Sequence, residues 1–255
     1  MKVDKFRTVI IYITIILLGL VCLLPLLNIV AISFSSSAAV EGNMVGLIPV
    51  GFSTAAYKKI LEDSQFWHSF LISVERVVLT LIINFVLIVL MAYPLSKTNA
   101  QFRGRNIYAN LMIFAMLFNG GMIPTFLLVK SYGLLNTIWA LVLPGAVPIF
   151  NVILVMNFFA AVPKELEEAA FIDGANPLQV LTKIFIPISK PVLATVSLFS
   201  IVGSWNDFYS GLIYMSKAAY YPLMTYIQSL QINVEDLIKQ GNLRSEEHTS
   251  ELQSP

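Results

Sequence analysis

Four stretches of this chain, between Arg7 and Glu41, Arg76 and Lys97, Arg105 and Lys130, and Lys130 and Lys164, contain no Asp, Glu, Lys or Arg. As helix each is long enough to cross the ~30 Å of bilayer hydrocarbon, which takes about 20 residues. Charged residues are 12% of the chain and hydrophobic ones 57%, against about 25% charged in soluble domains. The length is therefore spent on spans rather than on one soluble core, and the predicted fold class is an all-α, polytopic transmembrane helix bundle. A net charge of +1 leaves no footprint for nucleic acid. Cys22, the single cysteine, lies inside the first apolar stretch. That excludes an intrachain disulfide or a cysteine metal cluster, and Cys22 reads as a small buried hydrophobe.

Five spans are predicted. The first, Val9 to Ile32, follows Lys2, Lys5 and Arg7. It is too long for the apolar region of a cleaved signal, about 7–15 residues, so it reads as a retained anchor. A polar segment with Gly42, Gly46, Pro49 and Gly51 comes next. Span two ends near Leu95, with Trp67 as an interfacial anchor at its start. Span three runs from about Ile107 to Val129 and is interrupted by Asn119-Gly120-Gly121 and Pro124; span four covers Leu135 to Phe159, and span five Val192 to Tyr214. Lysine and arginine collect at the N-terminus, in the 96–106 loop (Lys97, Arg103, Arg105) and in the 160–190 loop (Lys164, Lys183, Lys190). Basic residues near span ends stay in the cytoplasm, so these three segments and the N-terminus are placed there. Residues 1–243 form the transmembrane domain. From Arg244 the sequence RSEEHTSELQSP is polar apart from Leu252 and is expected to be disordered.

The 161–190 loop is too long for a plain connector, since links between helices usually take about 2–8 residues. Its residues predict two short helices around a sharp corner. Pro163 suits a first helical position, Glu165, Glu167 and Glu168 suit the first turn, and Gly174 suits a left-handed stop. Leu166, Ala169, Ala170 and Asp173 share a face. Asn176 then suits an N-cap and Pro177 a first turn, while Leu178, Leu181 and Phe185 line one stripe before Pro187 stops the helix. An interfacial helix lying on lipid usually has a basic polar face, but Glu165, Glu167, Glu168 and Asp173 make this one acidic. A protein partner is the better reading.

Glu168-Ala169-Ala170, three residues, Gly174, nine residues and Ile184-Phe185-Ile186-Pro187 together resemble the EAA loop of ABC importer permeases, with Ile186 where that loop usually has Leu. The resemblance implies a coupling helix that docks in a cleft of a cytoplasmic ATPase subunit. Glu168 would bond the partner, Ala169 and Ala170 would permit close approach, Gly174 would make the corner, and Asp173, Ile184 and Pro187 would complete the surface. Asn119-Gly120-Gly121-Met122-Ile123-Pro124, Gly133-Leu134-Leu135 and Trp205-Asn206-Asp207-Phe208 are similar to the sugar-importing branch related to the maltose permeases. Within it they look most like Gram-positive permeases for aldouronates and other polysaccharide-derived oligosaccharides. The resemblance implies the type I importer fold, a second permease subunit, an extracellular solute-binding protein and a multi-pass place in the bacterial plasma membrane. The family has six spans, so the sixth is expected to be missing here and residues 244–255 to be foreign sequence.

Polar residues within the spans leave two readings open. Asp207 lies about 22 Å from the cytoplasmic end of span five, inside the hydrocarbon. Asn206 and Asp207 line the sugar route there, with Trp205 stacking on a sugar ring, or all three sit at the outer interface. An Arg76–Asp207 pair is conceivable. However, Val77 to Leu95 is long enough to span alone, and the preferred reading leaves Glu75 and Arg76 at the interface. The break at Asn119 to Pro124 is a cavity-lining stretch or the outer end of span three.

No G-x-x-x-x-G-K-[ST] loop occurs, so ATP and Mg belong on a partner subunit and this chain is not itself an enzyme. Of two histidines, one is His248 in the tail, which supports neither a histidine metal site nor a Ser-His-Asp triad. A secondary, ion-coupled carrier is the rival. It predicts inverted repeats and intramembrane acids, neither of which is seen, and it leaves the EAA pattern unexplained.

Overall fold

A computed structural model describes the backbone of residues 2–118 and 120–231. Asn119 and the tail at 244–255, both named above, lie outside the described residues. Helices are the regular elements among the described residues, and contacts divide the chain into two units between Trp67 and His68.

The first unit opens with α1 (Lys2–Ser33), whose Arg7–Ser33 portion is long and apolar enough to cross a membrane. Apolar residues cover all its faces and nearly all are exposed. Such a helix has no inner side unless lipid or a partner covers it, so Cys22 is exposed rather than buried. The segment expected to be simply polar contains α2 (Ser37–Glu41) and α3 (Ala55–Glu62) and folds onto the end of α1. Asn28 Nδ2 donates to the Gly46 carbonyl at 2.7 Å, Ser33 Oγ and the Tyr57 hydroxyl meet at 2.8 Å, and Phe34 stacks on Phe52 and Tyr57.

The chain enters the second unit along α4 (Ser64–Leu95), the other helix long enough to span alone. Its buried face repeats at three and four residues, as one side of an α-helix must. That face is polar at Ser69, Ser73, Arg76, Thr80 and Asn84, then apolar at Ile88, Ala92 and Leu95. The third and fourth spans are bent pairs. The third, α5 (Arg105–Leu117) with α6 (Met122–Ser131), turns by 111°. The expected interruption therefore separates two helices, and Pro124 sits in the first turn of α6, where no intrahelical N–H is needed. Span four, expected to be continuous, is α7 (Ile138–Val142), a 3-10 turn at Leu143–Gly145 and α8 (Ile149–Ala160), bent by 47°. Pro144 and Pro148 supply no donors to a continuous ladder there.

Beyond the loop carrying α9 (Lys164–Ile172), α10 (Pro177–Val180) and α11 (Ile186–Ile188), the fifth span also divides. The helix α12 (Lys190–Asn206) stops at Asp207, and α13 (Tyr209–Tyr214) begins anew. Helix α12 lies on α8, which also meets α5, around a core of Ile88, Ala92, Val155, Phe159, Val180 and Val196. The last described helix, α14 (223–231), is pinned by the Leu223 N–H donating to Ser73 Oγ at 2.7 Å and by Thr225 Oγ1 donating to the Phe208 carbonyl at 2.8 Å. Thr225 presses so closely on Gly211 that an added Cβ would overlap it, backbone-bound hydroxyl included. Gly211→Ala is expected to cost about 1–3 kcal/mol, as overpacking does; SDS titration followed by tryptophan fluorescence measures it.

Candidate functional site

The 161–190 loop forms the corner its residues predict. Helix α9 ends in a Schellman motif: Ala175 N–H donates to the Ala170 carbonyl at 2.9 Å and Gly174 N–H to the Phe171 carbonyl at 3.1 Å. Gly174 sits at φ +82, the left-handed position that favours glycine. A reciprocal capping box starts the next helix, with Asn176 Oδ1 accepting from Gln179 N–H and Gln179 Oε1 from Asn176 N–H, both at 2.9 Å.

Three details differ from expectation. Pro163 is the N-cap rather than the first helical residue. Leu178 does not share the buried stripe of Leu181 and Phe185, but is 62% exposed. Pro187 does not stop the helix, because a turn of π-helix at Leu181–Phe185 precedes it and the path runs on to Ile188 before bending by 84° into α12. The wider turn accommodates a residue that has no N–H to return to the preceding turn.

The inward side of α9 also differs. Glu167, expected among the outward acids, is 8% exposed and faces Lys97 at 2.7 Å. The ammonium lies 4.1 Å from the Tyr93 ring centre and 4.2 Å from that of Phe185, which meets Tyr93 and Phe159 edge-on. Burial pulls the Lys97 pKa below that of an ordinary lysine, and Glu167 opposes the shift. Helix α9 is thus tied to the end of α4 and to the π turn by one ion pair in an aromatic box. Glu168, Ala169, Asp173 and Pro187 are exposed, Ala170 and Ile184 are half-buried, and Ile172 is 86% exposed. Leu166, Phe171 and Leu178 are exposed as well, on the same loop as the exposed acids Glu165, Glu168 and Asp173.

A second polar region lies deeper. The break between α12 and α13 is built by Asp207: its Oδ1 accepts from Ser210 N–H at 3.1 Å, which caps α13. Its Oδ2 accepts from Arg76 Nη2 at 2.5 Å and its main-chain oxygen from Nη1 at 2.9 Å. The carbonyl that would continue α12 is therefore bonded to a side chain instead. This corrects two expectations. Asp207 is not embedded in a continuous helix, and Arg76 is 3% exposed and paired with it rather than left apart from it. Glu75, its neighbour, is exposed.

Next to the pair, a cavity of about 280 Å³ runs between α4, α7, α8 and α12. Asn84 Nδ2 donates to Ser200 Oγ at 3.2 Å, while Arg76 Nε, Thr80 Oγ1 and Asn84 Oδ1 form no hydrogen bond within the chain. Of the other expected route residues, Trp205 packs edge-on to Phe70 and Asn206 donates to the Val202 carbonyl; neither lines this cavity. Thr80 and Asn84 were not singled out from the sequence, although polar residues at Ser69, Ser73, Arg76, Thr80 and Asn84 in an otherwise apolar helix carry the signal.

A family of binding-protein-dependent transport system inner membrane components matches residues 69–238. Protein LplC of Bacillus subtilis is 43% identical over 214 residues, covering 84% of this chain and 72% of that protein. The polygalacturonan/rhamnogalacturonan transport system permease protein YtcP of the same organism is 40% identical over 90% of this chain and 79% of its own. A solved bacterial ABC transporter involved in import of the acidic polysaccharide alginate has a chain that superposes with TM-score 0.82 at 34% identity, over 90% of this chain and 81% of that one. With two thirds of its length inside the family model and relatives this similar over most of theirs, the chain belongs to the inner-membrane components of binding-protein-dependent ABC transport systems.

Proposed function

We propose that this permease carries an oligosaccharide and is driven through its 161–190 corner by a separate ATPase subunit. The corner itself carries the reading. Two caps and a buried ion pair hold the corner, and Ile172, Leu178, Glu168 and Asp173 within it are exposed. Exposed apolar residues gathered on one short loop mark a docking surface, and the exposed acids among them suit a basic cleft in a protein partner. Glu168 bonds the partner, Ala169 and Ala170 let it approach, and the Gly174 turn sets the angle between the two helices. Placing this corner in the cytoplasm also places the N-terminus there, by the positive-inside bias. A second permease subunit and an extracellular solute-binding protein complete the importer. ATP is hydrolysed on the partner; this chain supplies half of an alternating-access pathway. The oligosaccharide substrate is supported by relatives named for polygalacturonan, rhamnogalacturonan and multiple sugars, and by the alginate importer. The ion-coupled alternative has no comparable support.

Co-purification of the N-terminally tagged chain with its candidate ATPase, with and without Glu168→Lys or Gly174→Pro, tests the coupling role. Retention by the natural sequence and loss in both variants is the expected result. Failure of the natural sequence to retain the ATPase, or retention by Glu168→Lys, overturns it.

A further inference from the structure

Beside the 96–106 loop, a cavity of about 420 Å³ lies between the end of α4, the length of α5 and the start of α8. Apart from the Tyr108 hydroxyl, every side chain lining it is apolar. Leu95 and Met112 form its buried floor, while Leu90, Tyr108 and Leu111 at its rim are each more than half exposed, so it is open rather than sealed. Along α5 it reaches from Tyr108 to Ala115, about 10 Å. A water held in such a space needs about 2–4 polar partners, and a sugar needs more; one hydroxyl supplies neither. A partner helix, about 10–12 Å thick, would rest across the rim and leave the space beneath it empty. In a membrane, the group that is both apolar and narrow enough to enter is a lipid acyl chain.

The loop end of the cavity selects the lipid. Arg105 Nε donates to the Leu95 carbonyl at 2.9 Å, which holds the guanidinium beside a residue of the floor, and its Nη1 donates to Asn106 Oδ1 at 3.2 Å. Arg103 follows the lining residue Phe102 and is exposed. Neither arginine has an acid partner among the described residues, whereas Lys97, the third cation of the loop, is committed to Glu167. The neighbouring sequence offers none either, since no Asp or Glu occurs between Glu75 and Glu165. Two arginines without counter-ions next to an apolar cavity complement a phosphate attached to a hydrocarbon chain. Guanidinium binds phosphate oxygens bidentately, and basic groups between membrane helices collect anionic headgroups. A zwitterionic lipid brings its own cation and balances the arginines less well.

We propose that this cavity takes one acyl chain of an anionic glycerophospholipid whose phosphate is bonded by Arg103 and Arg105.

Native mass spectrometry of the full chain in mild detergent, titrated with dioleoyl phosphatidylglycerol or dioleoyl phosphatidylcholine, tests this. Phosphatidylglycerol is expected to bind about ten- to thirtyfold more tightly. Arg103→Gln alone, at an exposed position, should already lower that preference about fivefold, and Arg103→Gln with Arg105→Gln should bring the two lipids level. Lys183→Gln with Lys190→Gln, which removes the same charge from the other basic loop, should leave the preference in place. Ala115→Trp, which fills the cavity, should weaken the binding of both lipids. Equal binding of the two lipids by the natural sequence, a preference that survives the arginine variants or is lost equally in the lysine variant, lipid binding unchanged by Ala115→Trp, or a second copy of the chain bound in place of lipid overturns the proposal. Neither sugar nor ATPase takes part, so these outcomes are independent of the co-purification result.

Discussion

Glu167→Ala is expected to destabilise the chain by about 3–5 kcal/mol, the usual cost of leaving one member of a buried ion pair alone. The Lys97 and Glu167 side chains are 12% and 10% exposed, so water reaches neither enough to solvate a lone charge. The Tyr93 and Phe185 faces 4.1 and 4.2 Å away hold the ammonium in place without neutralising it. Lys97→Met with Glu167→Leu should recover most of the loss, because well-packed apolar residues often replace a buried pair at little cost. SDS titration of the natural chain, Lys97→Met, Glu167→Leu and the double variant, followed by tryptophan fluorescence, gives the coupling energy. Additive losses in the double variant would mean that the two residues act separately.

The same cycle separates stability from coupling. The apolar double variant keeps α9 packed but removes the directional tie between the corner and the end of α4. If the tie transmits movement, ATPase co-purification should persist while ATP-driven uptake falls; if it only stabilises, uptake should follow folded protein.

Much of this architecture is legible in residue order because the bilayer is a demanding solvent. Runs without charge mark α1 and α4, and caps mark the corner: Gly174 and Asn176 have specific backbone roles, and each takes the role its chemistry suggests. What one helix at a time does not reveal is which polar residue turns inward. Glu165, Glu167 and Glu168 look alike as a string. Only the packing of α9 against Lys97, 70 residues away in the chain, singles out the middle one. Prolines mislead in a similar way. Pro187 looks like a stop, yet the π turn ahead of it removes the conflict, whereas Pro144 and Pro148 accompany a break in a stretch that reads as continuous. The divided fifth span was hidden most deeply, because its cause is a side chain 131 residues earlier.

That cause can be tested by asymmetry. Asp207→Ala is expected to cost about 3–5 kcal/mol and Arg76→Met clearly less, although each removes the same ion pair. The difference lies in what remains. Without the carboxylate, a guanidinium with 4% side-chain exposure keeps only one main-chain oxygen as partner, and a lone buried charge is costly. Without the guanidinium, Asp207 is still 29% exposed and still caps α13 through Ser210. Arg76→Met with Asp207→Asn should lie near Arg76→Met alone, since asparagine retains the capping oxygen and leaves no charge behind. Parallel SDS titrations read all three. Equal losses for the two single variants would mean that Asp207 is as poorly solvated as Arg76, and the break between α12 and α13 would then be held by the ion pair alone rather than by the cap.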